Sequence, residues 1–385
     1  MPGDVYKGRS ISGWLADLAG GSEAANQEAG EALFMYVQQC RIKDRTHGAD
    51  TPPSFAAAVR SALGEPEVAA DALLPSLARR LTAGFRAMEE RLEENGRGAD
   101  LRLGDMGAVE VLQAAGPAWL PALDSLLEVL ADPEPILRDA AFRAVGSIGP
   151  AARPALSRLL TEVERYPLGR PYWLGRAVAQ VAADDQGAVD EILRLLDPDR
   201  SPAAVQGGLE ILREMGRRAS PAVPAVIELS RRLPEHRLRA AAVLGGIAPE
   251  GDSEPAIDRL VELVSDPEPE IRAAALTALG EIRRRPDLSI PALRGRVGDY
   301  GQGGASPHDA AVASLGKFGE EAAAAVPDLA TRLVRPHGGV DYGVVEALGR
   351  IGPGARQVIP ELEKLPEEHG RVGVLSIALK RIREE

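Results

Sequence analysis

The residues best suited to hold a metal or to attack a substrate are few. There are five histidines, His47, His236, His308, His337 and His369, and one cysteine, Cys40. No histidine lies in a His-Glu pair or an H-E-x-x-H run, the spacing that sets two imidazoles on one helix face with a glutamate as base. A single thiol can close no disulfide within the chain and builds no Cys-based zinc site. At the end of an apolar helix Cys40 reads as a small hydrophobe. Gly301-Gln302-Gly303-Gly304 lacks both the preceding strand and the following Lys-Ser/Thr of a phosphate-cradling loop, so it reads as a flexible turn. Gly146-Ser147-Ile148-Gly149 is a helix end, not a nucleophile elbow. The carboxylates sit in turns and on polar faces, and none pairs with another as acid and base. The expectation is therefore no catalytic residue, no cofactor and no metal.

Binding chemistry is better represented. Three long turns, Tyr166–Trp173 (YPLGRPYW), Gly298–His308 (GDYGQGGASPH) and Arg335–Tyr342 (RPHGGVDY), hold four of the six tyrosines. With Trp173, His308, His337 and the nearby Arg176 and Arg371 they bring Tyr166, Tyr172, Tyr300 and Tyr342 toward one edge of a repeat array, because turns of one type line one edge. Loop elaborations on one edge often form a binding rim, and Tyr, Trp and Arg are favoured interface anchors. The same aromatics could instead pack the longer loops against the helix ends. Both readings stand at this point.

Arginines also cluster, as Arg217-Arg218, Arg231-Arg232 and Arg283-Arg284-Arg285. All fall at helix ends, where cations favour the helix dipole. The net charge of −12 opposes a surface that tracks nucleic-acid phosphates over the whole body.

The elements that must carry these residues follow from an internal period. Residues 131–149 read ADPEPILRDAAFRAVGSIG and residues 265–282 read SDPEPEIRAAALTALGEI. Asp132 and Asp266 lie 134 residues apart, four steps of about 33.5. Helix-ending marks at Gly116, Gly149, near Ala182, Gly216, near Ala248, near Ile282, Gly319 and Gly352 keep that step, and a sustained period of this size marks a solenoid. Each unit reads as two helices. The first opens near a proline (Pro121, Pro154, Pro224, Pro255, Pro291, Pro327, Pro360), which the unpaired N–H groups of a first turn tolerate. The second carries one apolar face, as in Ile271, Ala274, Ala275, Ala278, Leu279 and Ile282. Alanine there lets neighbouring helices approach closely, and glycine ends the helix. Hydrophobic residues make up 45% of the chain but aromatics only 4%, which fits a core of small aliphatic side chains.

The Asp-Pro turn, the arginine six residues after that aspartate and the Ala-rich second helix ending in Ile-Gly-Pro resemble HEAT repeats of the bacterial type. The resemblance covers about residues 55–385. It implies an all-α, right-handed α-α superhelix of about nine or ten helical pairs, with the second helices lining its concave surface. It implies Asp–Arg pairing between neighbouring repeats, for which Asp132/Arg138 and Asp266/Arg272 match by position. Residues 1–54 are expected to form a capping helical pair and a connection, the helices starting at Trp14, Leu15 and Leu18 and at Ala29 to Val37, because an end repeat must hide one apolar face. An insertion is expected near 93–106. Deoxyhypusine hydroxylase, a di-iron enzyme on this fold, needs His-Glu pairs that are missing here.

The function expected is a non-catalytic scaffold or adaptor that binds a protein partner through its concave face and one loop edge. Candidate contacts are Tyr166, Tyr172, Trp173, Arg176, Tyr300, His308, His337, Tyr342 and Arg371. The alternatives are a bilin-lyase-like enzyme or a nucleic-acid-acting enzyme on a HEAT-like fold. No apolar run approaches the roughly 18 residues of a membrane span, and the first residues lack a basic-then-apolar leader. A cytoplasmic monomer without nucleic-acid or membrane partners is the expectation.

Overall fold

The computed structural model describes residues 5–20, 23–44, 53–63, 110–111, 114–131, 135–166, 172–248, 253–301, 306–365 and 372–384. The expected insertion at 93–106 lies outside them. The chain divides into two compact units, Met1–Glu191 and Ile192–Glu385.

The first unit opens with a two-stranded hairpin, β1 (Val5–Tyr6) against β2 (Arg9–Ser10). Lys7 and Gly8 turn it with φ of 50° and 77°, the left-handed pair that a two-residue hairpin needs. The indole N–H of Trp14 donates to the Tyr6 carbonyl at 3.1 Å and ties the hairpin to α1 (Ile11–Gly20). Ile11, Leu15 and Leu18 of α1 are buried with Leu33, Val37 and Cys40 of α2 (Glu23–Asp44). Helix α3 (Pro53–Leu63) packs on both. Two helical pairs follow: α4 (Leu123–Val129) with α5 (Pro135–Ile148), and α6 (Leu156–Arg165) with α7 (Tyr172–Ala182). Trp119 and Phe142, both fully buried, are the largest side chains in this core. Helix α8 (Gln186–Leu193) reaches the end of the unit at Glu191 and continues for two residues.

The second unit repeats the pair. Helix α9 (Pro202–Met215) is followed by α10 (Val223–Arg232) with α11 (Arg237–Ile247), α12 (Glu254–Leu263) with α13 (Pro269–Ile282), and α14 (Pro286–Arg294) with α15 (Pro307–Phe318). Then come the short α16 (Val326–Ala330) with α17 (Tyr342–Ile351), and α18 (Ile359–Leu362) with α19 (Val372–Arg383). The second helices α9, α11, α13, α15, α17 and α19 each pack on the next. No helix among the described residues is long and apolar enough to cross a membrane.

A leucine-glycine step sets that packing. Leu244, Leu279, Leu315 and Leu348 are fully buried at the same place in successive second helices, and burial of such a side chain contributes roughly 1.5–3 kcal/mol. The glycine after each lets the next backbone close in. A Cβ on Gly280 would stand 2.9 Å from the Ser314 Cα, and one on Gly349 would stand 2.7 Å from the Ala378 Cα. No side chain fits there.

Two details depart from the sequence expectation. The terminal glycine does more than stop a helix: Gly149, Gly216, Gly319 and Gly352 have φ of 58–72°, and each opens a seven-residue 3₁₀ turn (149–155, 216–222, 319–325, 352–358) that leads into the next first helix. At Gly216 ψ is −139°, a region closed to residues with a Cβ. The prolines also vary. Pro224, Pro255, Pro327 and Pro360 sit in first turns as expected, but Pro121 and Pro154 lie in the 3₁₀ turns and Pro291 lies inside α14, which begins earlier at Pro286.

Candidate functional site

In the first unit Tyr166, just after α6, and Trp173, at the start of α7, carry arginine-aromatic contacts. Trp173, the second residue of α7, is half-buried, with the guanidinium of Arg143 3.9 Å from the centroid of its ring system and that of Arg176 5.4 Å away. Half-buried Tyr166 carries Arg138 at 4.9 Å and Arg165 at 5.7 Å. Burial pushes the Arg143 guanidinium below its ordinary range, against the pull of Asp139 and Glu110. A desolvated cation over an aromatic face is worth more than an exposed one, about 2 kcal/mol against 0.5–1. Tyr172 is the first residue of α7, and its side chain lies outside the described set.

The second unit treats its nominated residues differently. His308 is 1% exposed and Tyr342 only 9%, so both are interior residues and offer no rim surface. For His308 the reason is a polar cluster. His308 donates through Nδ1 to the Val297 carbonyl, and its Nε2 bonds Asp341 Oδ2 at 3.0 Å. A carbonyl on one side and a carboxylate on the other place an acceptor at each ring nitrogen. Tyr300 stacks on the imidazole with ring centroids 4.2 Å apart. Asp341 is wholly buried and caps α17, accepting from the N–H groups of Gly343 (3.1 Å) and Val344 (3.3 Å). Arg335 completes the cluster, with Nε 2.9 Å from Asp341 and Nη2 3.0 Å from Asp309. His337 is exposed at the tip of the same turn, and Arg371 lies outside the described residues.

Burial alone would raise the Asp341 carboxyl. The bonds from His308 and the Val344 N–H, with the Arg335 charge, outweigh burial and hold it below the ordinary carboxylate range. His308, Asp309 and Asp341 are also the one three-donor group within metal-binding reach among the described residues. Arg335 already bridges its two carboxylates, and Asp341 spends both oxygens on protein donors. The chemistry is that of a structural ion cluster.

This cluster is the last rung of a ladder. Arg237 at the start of α11 reaches Asp266 in the next turn at 3.2 Å. Arg272 in α13 makes two bonds to Asp299, at 2.8 and 3.1 Å. His308 in α15 then reaches Asp341. Asp266/Arg272 thus belong to different rungs, each paired with a neighbouring repeat. A second tie joins first helices: buried Arg259 donates to the Ser230 hydroxyl at 2.8 Å and its carbonyl at 2.9 Å.

The arginine runs separate by role. Arg218 donates to the Met215 carbonyl at a helix end (3.2 Å), Arg231 pairs with Glu262, and Arg285 is held by Glu254 and Asp287. Arg283 and Arg284 make no ion pair among the described residues. Yet Arg283 stands where other repeats place glycine, with φ 49° and ψ 45°, and Arg285 has φ 49° as well. Left-handed backbone costs a non-glycine residue about 1–2 kcal/mol, more than the 0.3–1 kcal/mol a cation typically gains at a helix C-terminus. Sequence reading treated these arginines as dipole partners. An arginine run at a step that lacks the closing glycine of 149, 216, 319 and 352 was the signal available.

Comparison with known proteins fits this geometry. The family model for HEAT repeats matches residues 223–301. No curated protein matches the chain in sequence. Among solved structures, yeast importin-beta (Kap95p) aligns with a TM-score of 0.55 at 10% identity, over 97% of this chain and 57% of that one. Kap121p bound to the SUMO protease Ulp1p aligns at 0.53 and 12% identity, over 97% and 49%. Kap121p bound to Pho4p aligns at 0.53 and 14%, over 97% and 44%. This chain therefore spans about half the length of those karyopherins, and at such identities the likeness concerns fold alone. The match identifies HEAT repeats at residues 223–301, and with the period of about 33.5 residues and the stacked second helices it gives the chain the fold of a HEAT-repeat solenoid.

Proposed function

We propose that the chain is a non-catalytic scaffold that binds a protein partner, using the faces of its second helices and the loop edge beside Tyr166 and Trp173. The observation that carries this is the half-buried Trp173 with the guanidinium groups of Arg143 and Arg176 within 5.4 Å of its ring centroid, and Tyr166 with those of Arg138 and Arg165 within 5.7 Å. Trp, Tyr and Arg are the residue types that dominate interface energetics, and contact with cations fixes the rings in advance, which lowers the entropy cost of docking. The fold agrees: repeat stacks present long ordered surfaces to partners, and Kap121p has been seen bound to Ulp1p and to Pho4p. Within the second unit, Tyr300 and the exposed His337 are separate candidate contacts.

The test is affinity capture from a cell lysate with wild type and a Tyr166→Ala/Trp173→Ala variant, circular dichroism confirming that both remain helical. A partner retained by wild type and lost by the variant supports the reading. Equal capture by both would remove this edge from the interface, and a turnover activity in the wild-type protein would end the non-catalytic assignment.

A further inference from the structure

At the opposite end of the second helices from the ladder, the C-termini of α11, α13 and α15 enclose a pocket of about 310 Å³. Arg217, Arg283, Arg284 and Lys317 line it, with Glu281 and Glu321 as the acidic members. Lys317 is engaged by Glu281 and Arg217 has an interaction of its own, which leaves Arg283 and Arg284, both exposed and without an ion pair among the described residues, as its available cations.

The backbone that presents them is fixed from behind. The Arg283 N–H donates to the Leu279 carbonyl at 3.0 Å. Buried Ser289 donates its hydroxyl to the Arg284 carbonyl at 2.8 Å. Arg285 is clamped by Asp287 and Glu254. Two left-handed arginines therefore bracket Arg284 in a turn for which the repeats ending at Gly149, Gly216, Gly319 and Gly352 use glycine. Strained backbone of this kind persists where the surroundings over-determine it, and it collects at ligand clamps. Guanidinium groups so placed offer paired N–H donors to a carboxylate.

We infer that this pocket is a docking site for a carboxylate-rich acidic peptide segment of a protein partner. The chain's net charge of −12 makes this basic recess a local exception, and it opposes wrapping by a longer polyanion such as a nucleic acid. The site lies in the second unit and uses none of the residues around Trp173, so it stands or falls apart from the scaffold edge proposed above.

The experiment is fluorescence anisotropy with a labelled peptide of alternating Glu and Gly, titrated with the full chain at low ionic strength. The Glu peptide should bind, a Gln-Gly peptide should not, and added salt should weaken binding. Arg283→Gly/Arg284→Ala should weaken it by about tenfold or more, as expected when charge-assisted bonds are lost. Glycine suits the left-handed turn, so this variant should keep its urea midpoint; Arg284→Glu alone is the second variant and should abolish binding. No binding by wild type, or equal binding by a folded variant, overturns the proposal. So does displacement of the peptide by inorganic phosphate or by a DNA duplex at a lower concentration than unlabelled Glu peptide, because the site would then be a phosphate site.

Discussion

Removing the Asp341 carboxylate should cost more stability than removing any other rung of the ladder. Its oxygens serve four donors: the His308 ring, the Arg335 Nε and two backbone N–H groups at the start of α17. In Asp341→Ala the cap is lost, worth about 1 kcal/mol by itself. The larger effect falls on the partners, since His308 stays buried with no acceptor on one side. Breaking a buried charge pair by deleting one member costs roughly 3–5 kcal/mol, and that range is the expected loss in urea unfolding followed by circular dichroism. Asp299, whose side chain is 20% exposed, is the control. Its loss can be repaired by water, so Asp299→Ala should cost only about 1–3 kcal/mol. A second arm uses pH. The Asp341 carboxyl titrates below its unfolded value of about 3.9, so its contribution is complete above that pH and disappears as pH falls through the lower folded value. Wild type should show an acid-side loss of stability that Asp341→Ala lacks. An Asp341→Ala cost under about 1 kcal/mol, or one no larger than that of Asp299→Ala, would refute the reasoning from buried charge.

Other perturbations probe separate links. Gly280→Ala drives a methyl toward Ser314 and should destabilise by about 1–3 kcal/mol through overpacking, read as a lower urea midpoint. Arg283→Gly should be neutral or stabilise by up to about 1 kcal/mol, because it relieves a left-handed arginine; a clear loss in the same urea assay would mean that its side chain supports the fold. Burial holds the His236 imidazole below its ordinary range, with Glu235 raising and Arg239 lowering it further, so the unfolded chain takes up the proton first. Stability should be full above about 6.5 and fall as pH drops below it, and His236→Gln should flatten that slope in urea melts across the range.

The fold was legible because the packing rule leaves a local trace. Each second helix needs apolar residues on one face and a small residue where its neighbour crosses, and Leu279-Gly280 or Leu348-Gly349 writes that requirement into adjacent letters. The turns were legible for the same reason, since glycine at 149, 216, 319 and 352 reports a backbone state that no other residue takes. The 3₁₀ turns were not, because nothing in Gly-Pro-Ala-Ala distinguishes a tight helix from an ordinary first turn. The site was less readable. Tyr166 and Trp173 stayed on a half-exposed edge, but burial depends on what the fold places opposite. The inward turn of His308 was decided by Asp341 and Val297 from other elements. The rung partners Asp299 and Asp341 were equally hidden, since 27 and 33 residues separate them from Arg272 and His308.

The seam between second helices has a consequence for sequence variation. At Gly280 against Ser314, or Gly349 against Ala378, the backbone approach demands small atoms on both sides and tolerates nothing larger. Little else along the helix is dictated so strictly, because the outward residues touch only solvent. A sequence under that rule can change most of its letters while the spacing of its stacks stays fixed, so likeness of shape does not need likeness of text. The alignment with yeast importin-beta over 97% of this chain at 10% identity is a likeness of that kind, one of fold alone.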